Sequence, residues 1–339
     1  MPIEEVCKHK HLGITFNHKG TWIDHISEIS NKARRCIGFL RRIQYQVPRS
    51  CLETLYKSFI RPILEYGDMV FDGAAQVHLS TLEKVQRDAA IICTGAYRKT
   101  PHNLLLQEVG WEPLSIRRKN HRLSIMYKIQ NGLVPSYLSD ICPPIIQDTT
   151  QYPLRNRMDT RNFTVKTSAF KNSFFPLTIH DWNDLDIDIR NSPSVISFKN
   201  QLKKKHGYFT NKLLAYGKGS GRVNHTRLRL GLSGLNEHRK RFNFVTDSHC
   251  PKCHHINESV SHFLFDCPYY ATQRVQLAAG VASLIAPGVH YSLILPNSVH
   301  DKNYLVKILL NGSEDLCLND NCKLFNIVQN YIVDTKRFV

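Results

Sequence analysis

Thr21-Trp-Ile-Asp-His-Ile-Ser-Glu-Ile-Ser-Asn-Lys-Ala-Arg-Arg-Cys-Ile-Gly-Phe-Leu40 places apolar side chains at Trp22, Ile26, Ile29, Ala33, Ile37 and Leu40. Steps of three and four residues put these six on one face of an α-helix. The opposite face carries Lys32, Arg34, Arg35, Arg41 and Arg42. Thr21 stands at the N-cap position, with Asp24 as a short version of the capping-box acid. Pro48 sets the far limit of the helix, because it has no N–H to donate.

The same pattern recurs downstream. Ser50-x-x-Glu53 predicts a second helix with Leu52, Leu55, Phe59 and Ile63 on its inner face and a kink at Pro62. Ser80-x-x-Glu83 predicts a third, with Leu82, Val85, Ala89 and Ile92 inward and Gly95 as its stop. A fourth spans about Pro113 to Gly132 and carries Arg117, Arg118, Lys119, Arg122 and Lys128. Upstream, His11-Leu-Gly-Ile-Thr-Phe16 reads as one short strand, with Asn17-His-Lys-Gly20 as a turn. The stretch from Ile141 to Met158 reads as a linker. Residues 163–198 mix extended and short helical pieces, and Lys199 to His206 reads as a basic helix end. Tyr216-Gly-Lys-Gly-Ser-Gly221 reads as a flexible break, and residues 275–339 as a helical tail. The predicted fold class is mainly α: a helical bundle after one strand, a mixed α/β middle region, a small metal knuckle and a helical tail.

The chain of 339 residues is 42% hydrophobic and 22% charged, enough apolar side chain for buried cores. It has no run of eighteen apolar residues, and the first residues, Met1-Pro-Ile-Glu-Glu-Val, form no secretory h-region. An intracellular location, nucleus or cytoplasm, is expected, without a membrane partner, so clustered cysteines read as ligands rather than disulfides. Lys and Arg number 45 against 28 acids, a formal charge of +17. Such a field attracts polyanions, and RNA or DNA are the expected partners, with a solvated basic surface or an acidic protein as the alternatives.

Ten cysteines are present, and three of them fall within Cys250-Pro-Lys-Cys-His-His-Ile-Asn-Glu-Ser-Val-Ser-His-Phe-Leu-Phe-Asp-Cys267. The spacing C-x2-C-x8-H-x4-C nominates Cys250, Cys253, His262 and Cys267. Three thiolates and one imidazole suit a tetrahedral Zn²⁺ with no open position, so the predicted site is structural. His249, His254 and His255 could compete with His262, and reduced free thiols or a redox pair remain the other readings. Arg222, Arg227, Arg229, Arg239, Lys240 and Arg241 lie just upstream, with Phe242 and Phe244 next to them. These six cations, together with Arg34, Arg35, Arg41 and Arg42, are the candidate nucleic-acid contacts, while the two phenylalanines could stack on bases or belong to the core. Cys317 and Cys322 lack further ligands and read as ordinary thiols.

Catalytic patterns are weak. Glu65-Tyr-Gly-Asp-Met69 only faintly resembles a polymerase turn, and Asp184-Leu-Asp-Ile-Asp188 reads as a solvated acidic face of a strand. There is no Gly-rich phosphate loop, nucleophile elbow or His-Glu-x-x-His, so neither a catalytic residue nor a small-molecule substrate is expected.

Several phrases occur in an ordered series: His11-Leu-Gly-Ile, Trp22-Ile-Asp-His25-Ile, Leu55 to Gly67, Leu82 to Ala89, Ser173-Phe-Phe-Pro176, Trp182-Asn-Asp-Leu185, Phe198-Lys199, Arg227-Leu-Arg-Leu230, Leu235-Asn236 and Glu258 through Tyr270. Together they resemble the C-terminal part of non-LTR retrotransposon reverse transcriptases of the jockey-like kind, from about residue 8 onward. The resemblance implies a remnant of a palm strand and turn at 1–20, a thumb-like helical domain at 21–141, and a linker and post-thumb region at 142–221. It further implies a basic segment with a CCHC zinc knuckle at 222–275 and a helical tail at 276–339. The family's fingers, palm and catalytic aspartates would precede residue 8, as would its endonuclease. The chain is therefore expected to be a non-catalytic part that handles template RNA or target DNA, from a truncated element or read from an internal Met, with other retroelement proteins as further partners. A working reverse transcriptase and a zinc-stabilised protein adaptor are the alternatives. With the palm absent, the strand at 11–16 is expected to be an unpaired edge.

Overall fold

The computed structural model describes residues 6–149, 157–206, 211–254, 257–285 and 298–338. Parts of the expected linker (150–156) and of the tail (286–297), and His255, lie outside the described residues. The chain is mainly α-helical, with one small two-stranded sheet among the described residues. It forms two compact units that interleave in sequence. The first comprises Met1–Phe39, Tyr56–Asp88 and Trp111–Phe209; the second comprises Leu40–Leu55, Ala89–Gly110 and Thr210–Val339. Among the described residues no helix is long and apolar enough to cross a membrane.

The first unit opens with a hairpin rather than the lone strand expected at 11–16. Strand Lys8–His11 pairs antiparallel with Ile14–Asn17, in the register Lys8↔Asn17 to His11↔Ile14. Leu12 and Gly13 both have positive φ (47° and 81°), the backbone that a two-residue hairpin turn with the twist of its strands requires. The edge therefore finds its partner within the chain. Helix Ile23–Ile43 follows, with Ile26, Ile29, Ala33, Ile37 and Leu40 buried as its spacing predicts. Thr21 is held by the Asn17 side chain, which accepts from the Thr21 N–H (2.9 Å) and donates to the Asp24 carboxylate (2.9 Å).

Two helical readings shift. The second helix is Arg49–Leu55, then a π-helical turn Tyr56–Ile60, then Arg61–Glu65. Pro62 cannot donate the i→i−4 bond, and the wide turn takes up that defect where a kink was expected. The inner face becomes Leu52, Tyr56, Ile60 and Leu64, while Phe59 is 65% exposed. Helix Gln76–Thr94 begins before Ser80, whose hydroxyl donates to the Val77 carbonyl inside the helix. Glu83 serves a different helix end: its carboxylate accepts from the N–H groups of Leu114 (3.2 Å) and Ser115 (2.7 Å), capping helix Leu114–Gln130.

The basic face of Leu114–Gln130 is consumed internally. Arg118 and Arg122 bind the two oxygens of Asp72 (2.7 and 2.6 Å), and Arg122 also reaches Asp181 (2.9 Å). Tyr127 stacks on Phe198, and Ile179, Trp182, Leu185 and Leu202 complete this core. The middle region carries helices Phe174–Asn183, Ile187–Arg190 and Val195–His206, and its extended component among the described residues reduces to an isolated bridge, Ile145↔Thr160. Asp184, Asp186 and Asp188 are exposed around the end of one helix and the start of the next, not on a strand.

In the second unit, Gly95 (φ 73°) stops helix Gln76–Thr94 as its position predicts. Helix His102–Val109, which no sequence pattern singled out, follows. The expected break at 216–221 instead runs into helix Gly219–Arg229. Its glycines serve close approach: a Cβ on Gly217 would lie 1.9 Å from Oε1 of Gln329, and one on Gly221 would lie 3.0 Å from the Gln329 carbonyl. Helices Ala271–Ile285, Val299–Asn311 and Leu318–Asp334 form the tail. They close a core containing Leu228, Leu264, Leu277, Leu309, Leu324 and Val328.

Candidate metal centre

The chain from His249 to Cys267 folds back on itself in two steps. An isolated bridge, His249↔Asn257, brings its limbs together, and the Glu258 N–H donates to the Ser248 carbonyl (2.8 Å). Between the limbs, the His254 N–H donates to the Cys250 carbonyl (2.9 Å), with His254 in the left-handed region (φ 60°). This tight turn aims Cys250 and Cys253 the same way. A π-helical turn, His262–Asp266, then delivers His262 and Cys267 from the other side. The wide turn matters because it sets the spacing from His262 to Cys267 that a uniform α-helix would rotate apart.

The potential ligand atoms of Cys250, Cys253, His262 and Cys267 all lie within 4.8 Å of one another. The Cys250 and Cys267 sulfurs are 3.8 Å apart, and Cys253 Sγ is 3.4 Å from His262 Nε2. Two sulfurs each about 2.3 Å from one tetrahedral ion would stand about 3.8 Å apart, and a sulfur and an imidazole nitrogen about 3.6 Å. The donor set therefore fits a metal ion. His249 is exposed and engaged by Asp247, and His254 is exposed, so neither is drawn into the cluster.

Electrostatics point the same way. Burial pushes the Cys267 thiol up to about 12, with Cys250 and Cys253 adding to the rise. Protons are one way to relieve such crowding; a divalent cation is another, and it converts the thiols to thiolate ligands. Burial also lowers His262, favouring the neutral imidazole that ligates. Its Nδ1 is buried with no hydrogen-bond partner among the described residues, so packing rather than a second hydrogen bond orients the ring.

The shell around the cluster is extensive. Arg274 donates to the carbonyls of Leu264 and Cys267, and the Tyr331 hydroxyl donates to that of Phe263 (2.6 Å). Glu258, almost wholly buried, accepts two bonds from Arg337 and one from the Asn236 N–H (2.6 Å). Asn236 Nδ2 also donates to the His249 carbonyl (2.8 Å). The start of helix Asn236–Arg241 is thus fastened to the Cys/His loop. No local pattern marks Glu258, Arg274 or Arg337 for this role; a carboxylate four residues before the histidine is the one sign in the sequence.

The basic candidates divide. Arg34, Arg35, Arg41, Arg42, Arg239, Lys240 and Arg241 are exposed. Arg222, Arg227 and Arg229 are not a free surface, which corrects their nomination. Arg222 is buried and donates to the Cys93 carbonyl (3.2 Å). Arg227 donates to the Gly95 carbonyl (2.9 Å) and lies 4.2 Å from the centre of the Tyr97 ring. Arg229 is paired with Glu108 at 2.7 and 2.9 Å. These three sit in helix Gly219–Arg229, packed on the tail, where an unpaired charge would be costly.

Comparison of the chain with known protein families, with curated proteins and with solved structures finds no match.

Proposed function

We propose that Cys250, Cys253, His262 and Cys267 form a closed structural Zn²⁺ site and that the unit built on it binds RNA or DNA. The supporting observation is the fastening of helix Asn236–Arg241 to the Cys/His loop through Glu258 and Asn236, with Arg239, Lys240 and Arg241 exposed beyond it. Four protein ligands leave no vacancy for a reactive water, so the ion supplies folding energy rather than chemistry. The module then presents three cations, two of them able to fork onto phosphates. The formal charge of +17 adds long-range attraction.

The ordered resemblance to the C-terminal part of non-LTR retrotransposon reverse transcriptases supports the same reading. On it, the chain holds template or target nucleic acid and carries no polymerase step itself. Anisotropy of labelled RNA and DNA strands against salt tests the proposal. The full chain should lose affinity steeply between 50 and 200 mM salt. R239A/K240A/R241A should lower the log–log slope by roughly two to three, at about 0.7–0.9 per phosphate contact. Affinity indifferent to salt would count for a protein adaptor instead, and primer extension on an RNA template by this chain alone would overturn the non-catalytic part.

A further inference from the structure

A cleft of about 670 Å³ opens in the second unit beside the basic helix. Tyr97, Lys99, His238, Arg239, Phe242 and Phe244 line it, and no carboxylate is among its lining residues. The size falls in the range of small-molecule sites, roughly 300–1,000 Å³. Its rings are placed by backbone, not by core packing. After helix Asn236–Arg241, Asn243 takes a left-handed conformation (φ 56°), and the Phe244 N–H returns to the Arg239 carbonyl (3.0 Å). That turn brings Phe242 and Phe244 to the cleft together.

The rings are also partly free. Lys99 Nζ lies 4.4 Å from the centre of Phe244, yet that side chain stays 59% exposed. Arg227 similarly covers Tyr97, which stays 41% exposed. Aromatic rings in water beside Lys99 and Arg239, with no carboxylate lining the cleft and only Arg337 of its cations held by an acid behind it, Glu258, among the ion pairs described, suit an aromatic ligand attached to negative charge. His238 adds a polar group of fixed tautomer. Its Nδ1 accepts from the Ser233 N–H (3.1 Å), so the proton resides on Nε2, and burial, first, with Arg241 lowers its pKa to about 4, keeping the ring neutral.

We infer that this cleft takes an unstacked nucleobase of a single strand, stacked on Phe244 and Tyr97, with the flanking phosphates on Lys99 and Arg239. The inference rests on the nucleic-acid reading above and gives it a position and a strand preference. A base stacked there is held by its π-face, so the cleft accepts any base and discriminates against a duplex, whose bases are already stacked.

The test uses the full chain and two 12-nucleotide DNA strands at 50 mM salt, one of thymidylate and one of abasic residues with the same phosphates. The thymidylate strand should bind at least about 5-fold and up to about 150-fold tighter, the range of one lost base stack. F244A should bring the two affinities together while leaving abasic binding, the salt slope and the far-UV circular dichroism as in the wild type. Equal binding of the two strands by the wild type, or a preference that survives in both F244A and Y97A, overturns the cleft while leaving the nucleic-acid reading standing. Failure to bind either strand overturns the cleft, and failure of a 12-nucleotide uridylate RNA to bind as well overturns the nucleic-acid reading.

Discussion

Glu108 is 5% exposed and lies between two guanidinium groups. Arg49 meets it at 2.7 Å, Arg229 at 2.7 and 2.9 Å, and Arg49 also pairs with Glu53 at 2.7 Å. Burial alone would raise the Glu108 carboxyl, but Arg229 and Arg49 outweigh it and hold it below the usual carboxylate range. Replacing one partner strands the others in a low-dielectric interior. E108Q should therefore lower unfolding stability by about 3–5 kcal/mol, read as a lower urea midpoint with an unchanged slope. Cys267 carries the other concentrated role. C267S should reduce bound zinc from one equivalent to none by metal analysis, and chelation of the wild type should lower its melting temperature. Zinc absent from the reduced, purified chain would defeat the metal reading. The gathering of Cys250, Cys253, His262 and Cys267 was legible from their spacing, because short loops bring such residues together. The fate of Arg222 and Arg229 was not legible: their partners, Cys93 and Glu108, stand 129 and 121 residues away.

A helix is legible where one apolar stripe repeats without interruption, as in Ile23–Ile43, and less so where an end depends on a remote side chain. Ser80-x-x-Glu83 has the form of a capping box, yet Glu83 caps Leu114–Gln130. E83A should destabilise the first unit by about 1 kcal/mol, within the ~0.5–2 kcal/mol of lost caps. It should also speed hydrogen exchange at the amides of Leu114 and Ser115 more than elsewhere in that helix. Unchanged exchange there would refute the assignment. The hairpin is hard to read from the sequence for a similar reason. Leu-Gly is a weak turn signal beside Asn-Gly, and Tyr66 supplies the remote support, its hydroxyl donating to the Leu12 carbonyl at 2.8 Å. Local patterns identify what a segment can become, while long-range partners decide where it starts and stops.

Acid should loosen the second unit through two histidines. Burial, with Arg229, lowers His225 to about 3, and its Nε2–H donates to the Leu309 carbonyl (3.0 Å). His238 is lowered to about 4. Both bind their proton more readily unfolded, near pH 6.5, so stability is full above that and falls as pH drops toward the folded values. Each histidine contributes about 1.4 kcal/mol per pH unit in that window. Urea midpoints should therefore fall between pH 7 and pH 5, with less dependence in H238N; equal slopes in the two proteins would refute the role of His238.

The interleaving of the two units bears on how the protein is made. Arg49 and Glu108 leave the ribosome early, but Arg229 follows Glu108 by 121 residues. At about 5–20 residues per second that gap lasts roughly 6–24 s. Throughout it the nascent chain holds a carboxylate whose second cation has not been synthesised, within a unit whose Cys/His loop and closing helices are still to come. The second unit can thus complete itself only after the first has had its whole sequence available, which makes translation order a part of this protein's folding pathway.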